Sequence, residues 1–324
     1  MIDKPGRYEN VSFADYLADP CPEPALSRST IIDLLDNPAR ARANHPKLAQ
    51  EGCTIEDAND PDDKKFDIGK ASHSLLLEGI DLAVKIDPVD FKGPKGGIPK
   101  GWTTDLIREA RDEAIASGKI PLLPKQYEKV LCMVEEAKKK IAKCADFTVK
   151  DLRCEGDSEV TYIWQEENGV WCKVRLDWIS KDRSLIIDFK TTGVTANPSY
   201  ISSHFSKMGY AIQDRFYCRG VSAVDGVTPK FVFLFQEDEY PYLCSWIGSD
   251  PQNQAMAEEK IDTAIKLWSK CLKDGAWEEY PDKICYPEAR PFELASWEEK
   301  KSHIGESIGN INQTANEQLD AIGL

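Results

Sequence analysis

The sequence lacks the features that mark membrane, exported or metal-finger proteins. No apolar run among its 324 residues reaches the roughly 20 residues that a membrane-spanning helix needs. No apolar segment follows the first residues, so no secretory signal is indicated. The ten cysteines include no CxxC pair, which argues against a zinc or iron–sulfur site. We therefore expect a cytoplasmic protein with reduced thiols and no membrane contact.

An excess of basic charge is also lacking. The chain has 55 acidic and 41 basic residues and a net charge of −14. Because phosphate neutralisation supplies most of the affinity for nucleic acids, this balance argues against a protein that coats them tightly. It does not argue against an enzyme, since a site for divalent cations is itself acidic and a local basic channel can hold the substrate.

The order of predicted elements indicates an α/β or α+β fold around one central mixed sheet flanked by helices. Apolar spacing predicts helices at about 30–44, 68–78, 103–118, 124–145, 198–221 and 251–273. Alternation and β-branched residues predict strands at 159–164, 170–179, 185–191, 230–236 and 242–247. We see no linker or repeat, and expect one domain over 1–324. It would comprise a mainly helical part (1–150), a sheet-bearing part (151–275) and a C-terminal extension (276–324).

Two of these strands, 170–179 and 185–191, carry the residues on which the functional interpretation depends. Side chains alternate between the two faces of a strand. In the first strand this predicts an apolar face formed by Cys172, Val174, Leu176 and Trp178. The opposite face carries Lys173, Arg175 and Asp177. In the second strand Asp188 and Lys190 share the face opposite Leu185, Ile187 and Phe189.

The predicted register of this hairpin brings two carboxylates together. A turn centred on Asp182 and Arg183 places Asp177 directly opposite Asp188. At about 5 Å and an effective dielectric near 20, their repulsion is roughly 3 kcal/mol. A divalent cation between them reverses the sign of that interaction, and Mg²⁺ prefers carboxylate and water oxygens. The pattern therefore predicts a Mg²⁺ site, for which Mn²⁺ is a possible substitute.

Lys190 lies two residues beyond Asp188, on the same face and about 7 Å along the strand. An ammonium near a metal can hold or deprotonate an attacking water and stabilise phosphorane charge, which indicates phosphodiester hydrolysis. A structural interpretation of the hairpin is equally open. An Asp-x-Lys pair at a strand end is commonly a surface ion pair worth under about 1 kcal/mol, and Asp177 could pair with Arg175 or Lys173.

Four motifs in order along the chain resemble the PD-(D/E)XK nuclease superfamily, its RecB-like branch, and most closely the phage-type RecE-like exonucleases. The residues 69–78 (GKASHSLLLE) resemble the upstream histidine helix of that branch. Asp177, and then Asp188 with Phe189 and Lys190, match its D…DxK core. Gln213 and Tyr217 match its QxxxY motif. The segment 26–29 (LSRS) with 37–38 (NP) is similar to the start of RecE-like domains.

The resemblance implies a restriction-endonuclease-like core and a role for each matching residue. Asp177, Asp188 and the backbone carbonyl of Phe189 would bind the metal, and Lys190 would act on the attacking water. His73 would be a metal ligand or a close neighbour of a second metal. Gln213 and Tyr217 would position Lys190 or the DNA backbone.

The resemblance also implies a substrate and partners. RecE-like enzymes degrade one strand of linear duplex DNA from the 5′ end, form homo-oligomeric rings around it, and work with a single-strand annealing recombinase. Several basic residues outside the motifs could grip phosphates beside such a site. They are Lys92, Lys95 and Lys100 in a Gly/Pro-rich loop, and Lys207, Arg215 and Arg219 on the predicted helix after the hairpin.

Some residues keep two interpretations at this stage. A lone histidine such as His73 is more often a structural hydrogen-bonding residue, and a Gln213–Tyr217 pair on one helix face is normally structural. If Asn168 and Gly169 form a two-residue turn, Val160 faces Asp177 and Glu159 points away from the site. A one-residue bulge would bring Glu159 back to it.

Three functions remain open. The first is a metal-dependent exonuclease acting on duplex DNA ends in phage-type recombination. The second is an endonuclease of the same superfamily, which would also cut a covalently closed circle. The third is a non-catalytic DNA-binding or assembly protein on a nuclease fold, for which loss of Asp188 would have no consequence.

Overall fold

The computed structural model describes residues 1–49, 64–93 and 96–305. The chain divides into two units, Met1–Glu279 and Tyr280–Leu324. The sheet and its helices belong to the first unit, and the second contains a helix over residues 291–305. The domain boundaries predicted near 150 and 275 stay predictions.

In the described part of the chain, eight strands form two sheets. The strands are β1 (Gly6–Tyr8), β2 (Ala83–Lys85), β3 (Ile120–Leu122), β4 (Gly156–Gln165), β5 (Trp171–Ser180), β6 (Leu185–Thr192), β7 (Lys230–Glu237) and β8 (Cys244–Ile247). Six of them build the main sheet in the order β1-β4-β5-β6-β7-β8, and β2 pairs with β3 in a small second sheet. Within the main sheet only β6 and β7 are parallel. The predicted mixed sheet is therefore confirmed.

In the described part of the first unit, ten α-helices surround these strands. They are α1 (Phe13–Leu17), α2 (Arg28–Asp36), α3 (Pro38–Asn44), α4 (Lys64–His73), α5 (Asp105–Ala116), α6 (Pro124–Ala142), α7 (Leu152–Glu155), α8 (Pro198–Lys207), α9 (Tyr210–Asp225) and α10 (Pro251–Asp274). A π-helical segment, Ser74–Glu78, continues directly from α4, and a 3₁₀ turn covers Pro88–Phe91. No helix in the described part of the chain is long and apolar enough to cross a membrane.

Both faces of the main sheet are covered, which makes it the centre of the first unit. One face packs against α2, α3, α8, α9 and α10, with Phe216, Ile261 and Trp268 fully buried. The other face packs against the π-helical segment, α6 and α7, with Leu77 and Ala137 buried there. A sheet buried on both sides reads as nearly continuous apolar sequence, as β6 and β7 do.

Two predicted helices are each divided in the structure. The prediction of one helix over 30–44 was wrong because Asn37 is extended, accepts a hydrogen bond from the backbone N–H of Arg40, and is followed by Pro38 at the first turn of α3. The prediction of one helix over 198–221 was wrong because Gly209 adopts φ +64°, a left-handed conformation that ends α8 before α9 begins. The second division sets the direction in which α9 crosses the sheet.

Candidate active site

The proposed site residues come from four elements that meet at one place. Asp177 lies on β5, Asp188 and Lys190 on β6, His73 at the end of α4, and Gln213 on α9. The β5–β6 ladder pairs Trp178 with Ile187 and Ile179 with Ile186. This is the predicted register. It places Asp177 opposite Asp188 at the next position, just beyond the last pair of the ladder.

The regular alternation of side chains along β5 breaks at Asp177, so that the residues before and after it face opposite sides of the sheet. Leu176 packs in the core beside α9, whereas Trp178 packs in the core beside α6 and α7. The prediction that Leu176 and Trp178 share a face was therefore wrong. On the neighbouring β4, Glu159 has φ +57° and interrupts the ladder between Ser158 and Val160. This break in the ladder leaves the side chain of Asp177 partly exposed.

The carboxylate of Asp177 accepts two contacts through Oδ2. His73 Nε2 lies 3.2 Å away, and the backbone N–H of Phe189 donates a hydrogen bond of 3.0 Å. Burial by itself would raise the pKa of Asp177, but His73, Lys190 and the Phe189 N–H lower it to about 2. Burial likewise opposes the charge of His73, yet Asp177 and Glu159 raise its pKa to about 9. The carboxylate is therefore ionised at neutral pH.

Asp188 is the most enclosed acid of the site, with its side chain 1% exposed. Its Oδ2 accepts a hydrogen bond from Nε2 of Gln213, and its Oδ1 contacts the ammonium of Lys190. Burial and the charge of Asp177 raise the pKa of Asp188 to about 6. Burial tends to lower the pKa of Lys190, but Asp188 and Asp177 raise it overall. Lys190 is thus a stable cation beside the two acids.

The repulsion inferred for the two aspartates is partly offset by the protein itself. His73 is placed against Asp177 and Lys190 against Asp188, so each acid has a cationic neighbour. The opposite pKa directions of the two acids show that their environments differ despite their proximity. Pairs of titratable groups whose pKa values are pushed apart are typical of active sites.

The outcome for Glu159 differs from the two-residue turn considered above. The hairpin between β4 and β5 has a three-residue loop, because Glu166 pairs with Val170 and Gly169 adopts φ +88°. This shifts the ladder by one residue, so that Val160 pairs with Leu176 and not with Asp177. Glu159 therefore lies at the level of Asp177, and the expectation that it points away was wrong.

The signal for this register was present in the sequence. The observed ladder places apolar residues opposite each other, as in the pairs Tyr162 with Val174 and Trp164 with Cys172. The two-residue turn would have set Tyr162 against Arg175 and Trp164 against Lys173. Matching apolar cross-strand pairs would have selected the three-residue loop.

Glu159 connects the site to its surroundings. Its Oε1 lies 3.6 Å from His73 Nδ1, and its Oε2 accepts a hydrogen bond of 2.5 Å from Nε of Arg175. Burial and the charge of Asp177 raise the pKa of Glu159 above its ordinary value. His73, Glu159 and Glu78 form a group whose potential ligand atoms all lie within 4.8 Å of one another.

Glu78 reaches this group because the chain after His73 is π-helical. In an α-helix, residues five apart point in clearly different directions, whereas the wider π turn brings them nearly into line. Single π turns are frequent at functional sites. Neither Glu78 nor the π turn could be recognised from the apolar spacing of 68–78, which predicts only a continuous helix.

The site opens into a cleft of about 980 Å³. The residues that line it are contributed by α1, α4, the π-helical segment, the main sheet and α9, and include Phe13, Tyr16, Lys70, His73, Glu78, Glu159, Arg175, Asp177, Phe189, Lys190 and Tyr217. Tyr217 therefore faces the cleft one turn beyond Gln213. Gln213 itself does not line the described part of the cleft and contacts Asp188, whereas the resemblance implied that it positions Lys190 or the DNA backbone.

The predicted phosphate-binding residues lie elsewhere. Lys92, Lys100 and Lys207 are exposed, but none lines the described part of the cleft. Arg215 and Arg219 form ion pairs with Glu258 and with Glu166 and Asp262. Lys95 falls outside the described residues. Contacts between these residues and DNA stay predictions.

Lys70 is a cleft cation that the sequence analysis did not single out. It is exposed, lines the cleft, and precedes His73 by three residues on α4. Residues three apart share a helix face. Its placement beside the site could therefore have been inferred once His73 was selected.

The donor atoms at this site suit a divalent cation that prefers oxygen. Asp177 and Asp188 supply carboxylates, and among the described residues the recorded contacts of Asp177 fall on Oδ2, leaving Oδ1 for another partner. Oδ1 of Asp188 is buried with the cationic Lys190 beside it and no well-aligned hydrogen bond. His73 and Glu159 add an imidazole and a third carboxylate. Carboxylates are common ligands of Mg²⁺ and Mn²⁺, whereas an imidazole is better suited to transition metals.

The six-stranded mixed sheet and its flanking helices define a PD-(D/E)XK nuclease-like fold. A family model described as "PDDEXK-like domain of unknown function (DUF3799)" matches residues 27–289, and the chain belongs to this family. No curated protein matches the chain.

Two solved structures were compared with the chain. A crystal structure of a "Putative exonuclease" from Eubacterium rectale matches with a TM-score of 0.50 at 14% identity, covering 88% of this chain and 96% of that one. At this identity the likeness concerns the fold alone. The structure of SSO0001 matches with a TM-score of 0.26 at 14% identity, covering 68% and 88%, and supports no argument.

Proposed function

We propose that this protein is a metal-dependent exodeoxyribonuclease that hydrolyses linear duplex DNA from its ends. The observation that carries the proposal is the convergence of four residues from three separate elements: Asp177, Lys190 and His73 line one cleft, and Asp188 is buried beside them in contact with Lys190. A structural ion pair explains two such residues, but not four that meet beside an open cleft. The family membership supports a nuclease-type reaction, and the resemblance to RecE-like enzymes supports action at DNA ends.

Each residue of the site would have its own role. Asp177, Asp188 and the carbonyl of Phe189 would hold Mg²⁺ or Mn²⁺, with His73 as a ligand or neighbour. A cation bound there supplies Lewis-acid polarisation of a phosphate oxygen and activation of water. Lys190, whose ammonium contacts Asp188, would orient the attacking water and stabilise charge on the phosphate. Gln213 fixes the rotamer of Asp188 by its hydrogen bond.

The decisive experiment uses linear and covalently closed circular duplex DNA, each with Mg²⁺ and with EDTA. We expect cleavage of the linear DNA alone, and only with the metal. Asp188→Asn should abolish it while the circular dichroism spectrum stays unchanged. Asp262→Asn is a matched control, because Asp262 is 52% exposed, pairs with Arg219 and does not line the cleft. Cutting of the circle would replace the proposal with an endonuclease, and activity equal to wild type in D188N would remove these residues from the mechanism.

Polarity, assembly and biological role form a further part of the proposal. We propose 5′→3′ degradation by a homo-oligomeric ring that acts with a single-strand annealing recombinase in phage-type recombination. The support is the four-motif resemblance. End-labelled duplexes test the polarity, and light scattering coupled to size exclusion tests the ring. A monomer in solution, or release of nucleotides from the 3′ end, would contradict it.

A further inference from the structure

Helix α1 contributes two aromatic side chains to the mouth of the cleft. Phe13 and Tyr16 both line it, three residues apart and hence on one side of the helix. Phe13 is 61% exposed, so one face of its ring is open to a ligand at this mouth. Neither residue belongs to the motifs that indicate nuclease chemistry.

The position of α1 is fixed by side chains of the main sheet. Arg175 donates a hydrogen bond of 2.5 Å to the carbonyl of Val11 and another to Glu159, which itself lies beside His73. Lys173 donates a hydrogen bond of 2.5 Å to the carbonyl of Tyr16, and its ammonium lies 4.6 Å from the centre of the Tyr16 ring. Phe13 is therefore exposed on a firmly held backbone.

A second buried contact holds the same segment from behind. The ammonium of Lys173 lies 3.7 Å from Asp19, which is fully enclosed and also faces His45 and Lys47. An exposed ring on such a support loses little conformational freedom when a ligand covers it. This rigidity is what a stacking platform requires.

The size of the cleft limits what can reach the site. A volume of about 980 Å³ is at the upper end of the range of about 300–1,000 Å³ found for small-molecule pockets. Such a space takes a few nucleotides of one strand and not a segment of duplex. We take a strand whose phosphate reaches Lys190 to enter this space without its complement, so that its bases lose their stacking partners.

From these observations, and resting on the proposed nuclease function, we propose that Phe13 stacks on an unpaired base of the single strand entering the cleft, with the fixed ring of Tyr16 behind it. Every base has a π-face, so the contact tolerates any sequence. Lys70 and Lys190 line the same cleft and are available to the phosphates. The substrate at the reacting centre is thus a single strand, even when the DNA supplied is duplex.

The test measures binding without cleavage. A short single-stranded oligonucleotide carrying 2-aminopurine is titrated with the full chain in EDTA, and both fluorescence and anisotropy are recorded. We expect a change in 2-aminopurine fluorescence on binding to the wild type. Phe13→Ala should weaken binding by about 5- to 150-fold and remove that change. Phe13→Tyr, which keeps a ring, should bind like the wild type.

Leu17→Ala is the matched control. Leu17 lies on the same helix and is 54% exposed, but it does not line the described part of the cleft. This variant should bind like the wild type. A thermal melt of each variant excludes unfolding, and Phe13→Leu keeps the apolar volume without the ring if the alanine variant melts early.

The outcomes separate this inference from the nuclease proposal. Equal binding by F13A and wild type would overturn the stacking role, whatever the cleavage assay shows. Loss of binding in L17A equal to that in F13A would also overturn it, because a general effect of α1 would then be responsible. Binding that depends on Phe13, in a protein that never cleaves DNA, would support the platform and reject the nuclease function.

Discussion

At the scale of single residues, the candidate site is a set of charges that compensate one another. Burial acts against ionisation of Asp188, and its pKa is raised to about 6, whereas that of Asp177 is lowered to about 2. The difference follows from their neighbours, since His73 and the Phe189 N–H both act on Asp177. Two acids of unequal proton affinity and a fixed ammonium are suited to binding a cation and stabilising phosphate charge.

Lys190→Gln should lower the turnover number by about 10²–10³-fold, because it removes a charge aimed at the reacting phosphate. Binding of DNA in Ca²⁺ should change much less. Single-turnover cleavage with saturating enzyme measures the effect. Lys230→Gln is the control. Lys230 is an exposed lysine on β7, at the end of the β6–β7 ladder that lies away from Lys190. Equal rates in K190Q and wild type would contradict the role of Lys190.

His45 provides a test of pH-dependent stability away from the candidate site. Burial lowers its pKa, and its Nδ1 accepts a hydrogen bond from the backbone N–H of Lys47, so the ring is neutral. The folded pKa lies below the unfolded value of about 6.5. Stability from this group is therefore present above about pH 6.5 and is lost as pH falls towards the folded pKa.

We expect the wild type to lose more unfolding free energy between pH 7.5 and pH 5 than His45→Gln, which cannot take up a proton. Urea unfolding at the two pH values measures the difference. Because all other titrating groups are shared by both proteins, the comparison isolates His45. An identical loss in both would show that the pKa of His45 is the same in the folded and the unfolded protein.

At the scale of elements, the site depends on how closely α4 approaches β6. Gly69 lies on α4, and a Cβ atom there would stand 2.9 Å from Oγ1 of Thr191. Such a distance is shorter than real Cβ contacts allow, so one of the two elements must move. Because His73 follows one turn after Gly69, this movement displaces the imidazole from Asp177.

Gly69→Ala should therefore reduce cleavage more than it reduces stability, since alanine itself favours a helix by about 1 kcal/mol over glycine. The double variant Gly69→Ala with Thr191→Ala removes the obstructing oxygen and should recover activity. Cleavage rates and thermal melts of the single and double variants are compared, with Thr191→Ala alone as the control. No recovery in the double variant would mean that the contact with Thr191 is not responsible.

At the scale of the whole molecule, the proposed function requires an acidic chain to act on a polyanion. With a net charge of −14, the protein repels DNA at long range. A cation held by Asp177 and Asp188 would link the two strands of the β5–β6 hairpin, and His73 as a further ligand would tie α4 to them. Metal binding should thus influence both substrate affinity and global stability.

We expect Mg²⁺ or Mn²⁺ to raise the melting temperature relative to EDTA. A ligand at 100 times its Kd adds about 2.7 kcal/mol to the stability of the folded state. Asp177→Asn and Asp188→Asn should lose the shift, whereas Asp262→Asn should keep it. Circular dichroism melts over a series of metal concentrations provide the measurement. Absence of a shift in the wild type at millimolar metal would contradict a metal site.

The sequence by itself determined the type of fold and the strands that carry the chemistry. Alternation located β5 and β6, and the turn at Asp182 fixed their register, because the position and length of a hairpin turn decide which residues of the two strands face each other. The order of the motifs around this hairpin predicted the class of nuclease fold. His73 and Gln213 were selected by the motif pattern, since nothing local distinguishes them from structural residues.

Only the tertiary structure decided which other side chains surround these residues. Glu159 joined the site through a three-residue loop ending at Gly169, and Glu78 through a π turn that leaves no mark in apolar spacing. Phe13 came to the cleft because Arg175 and Lys173, on a strand more than 150 residues away in sequence, hold the backbone of α1. Local patterns specify elements, whereas contacts between distant elements depend on packing that no single segment encodes.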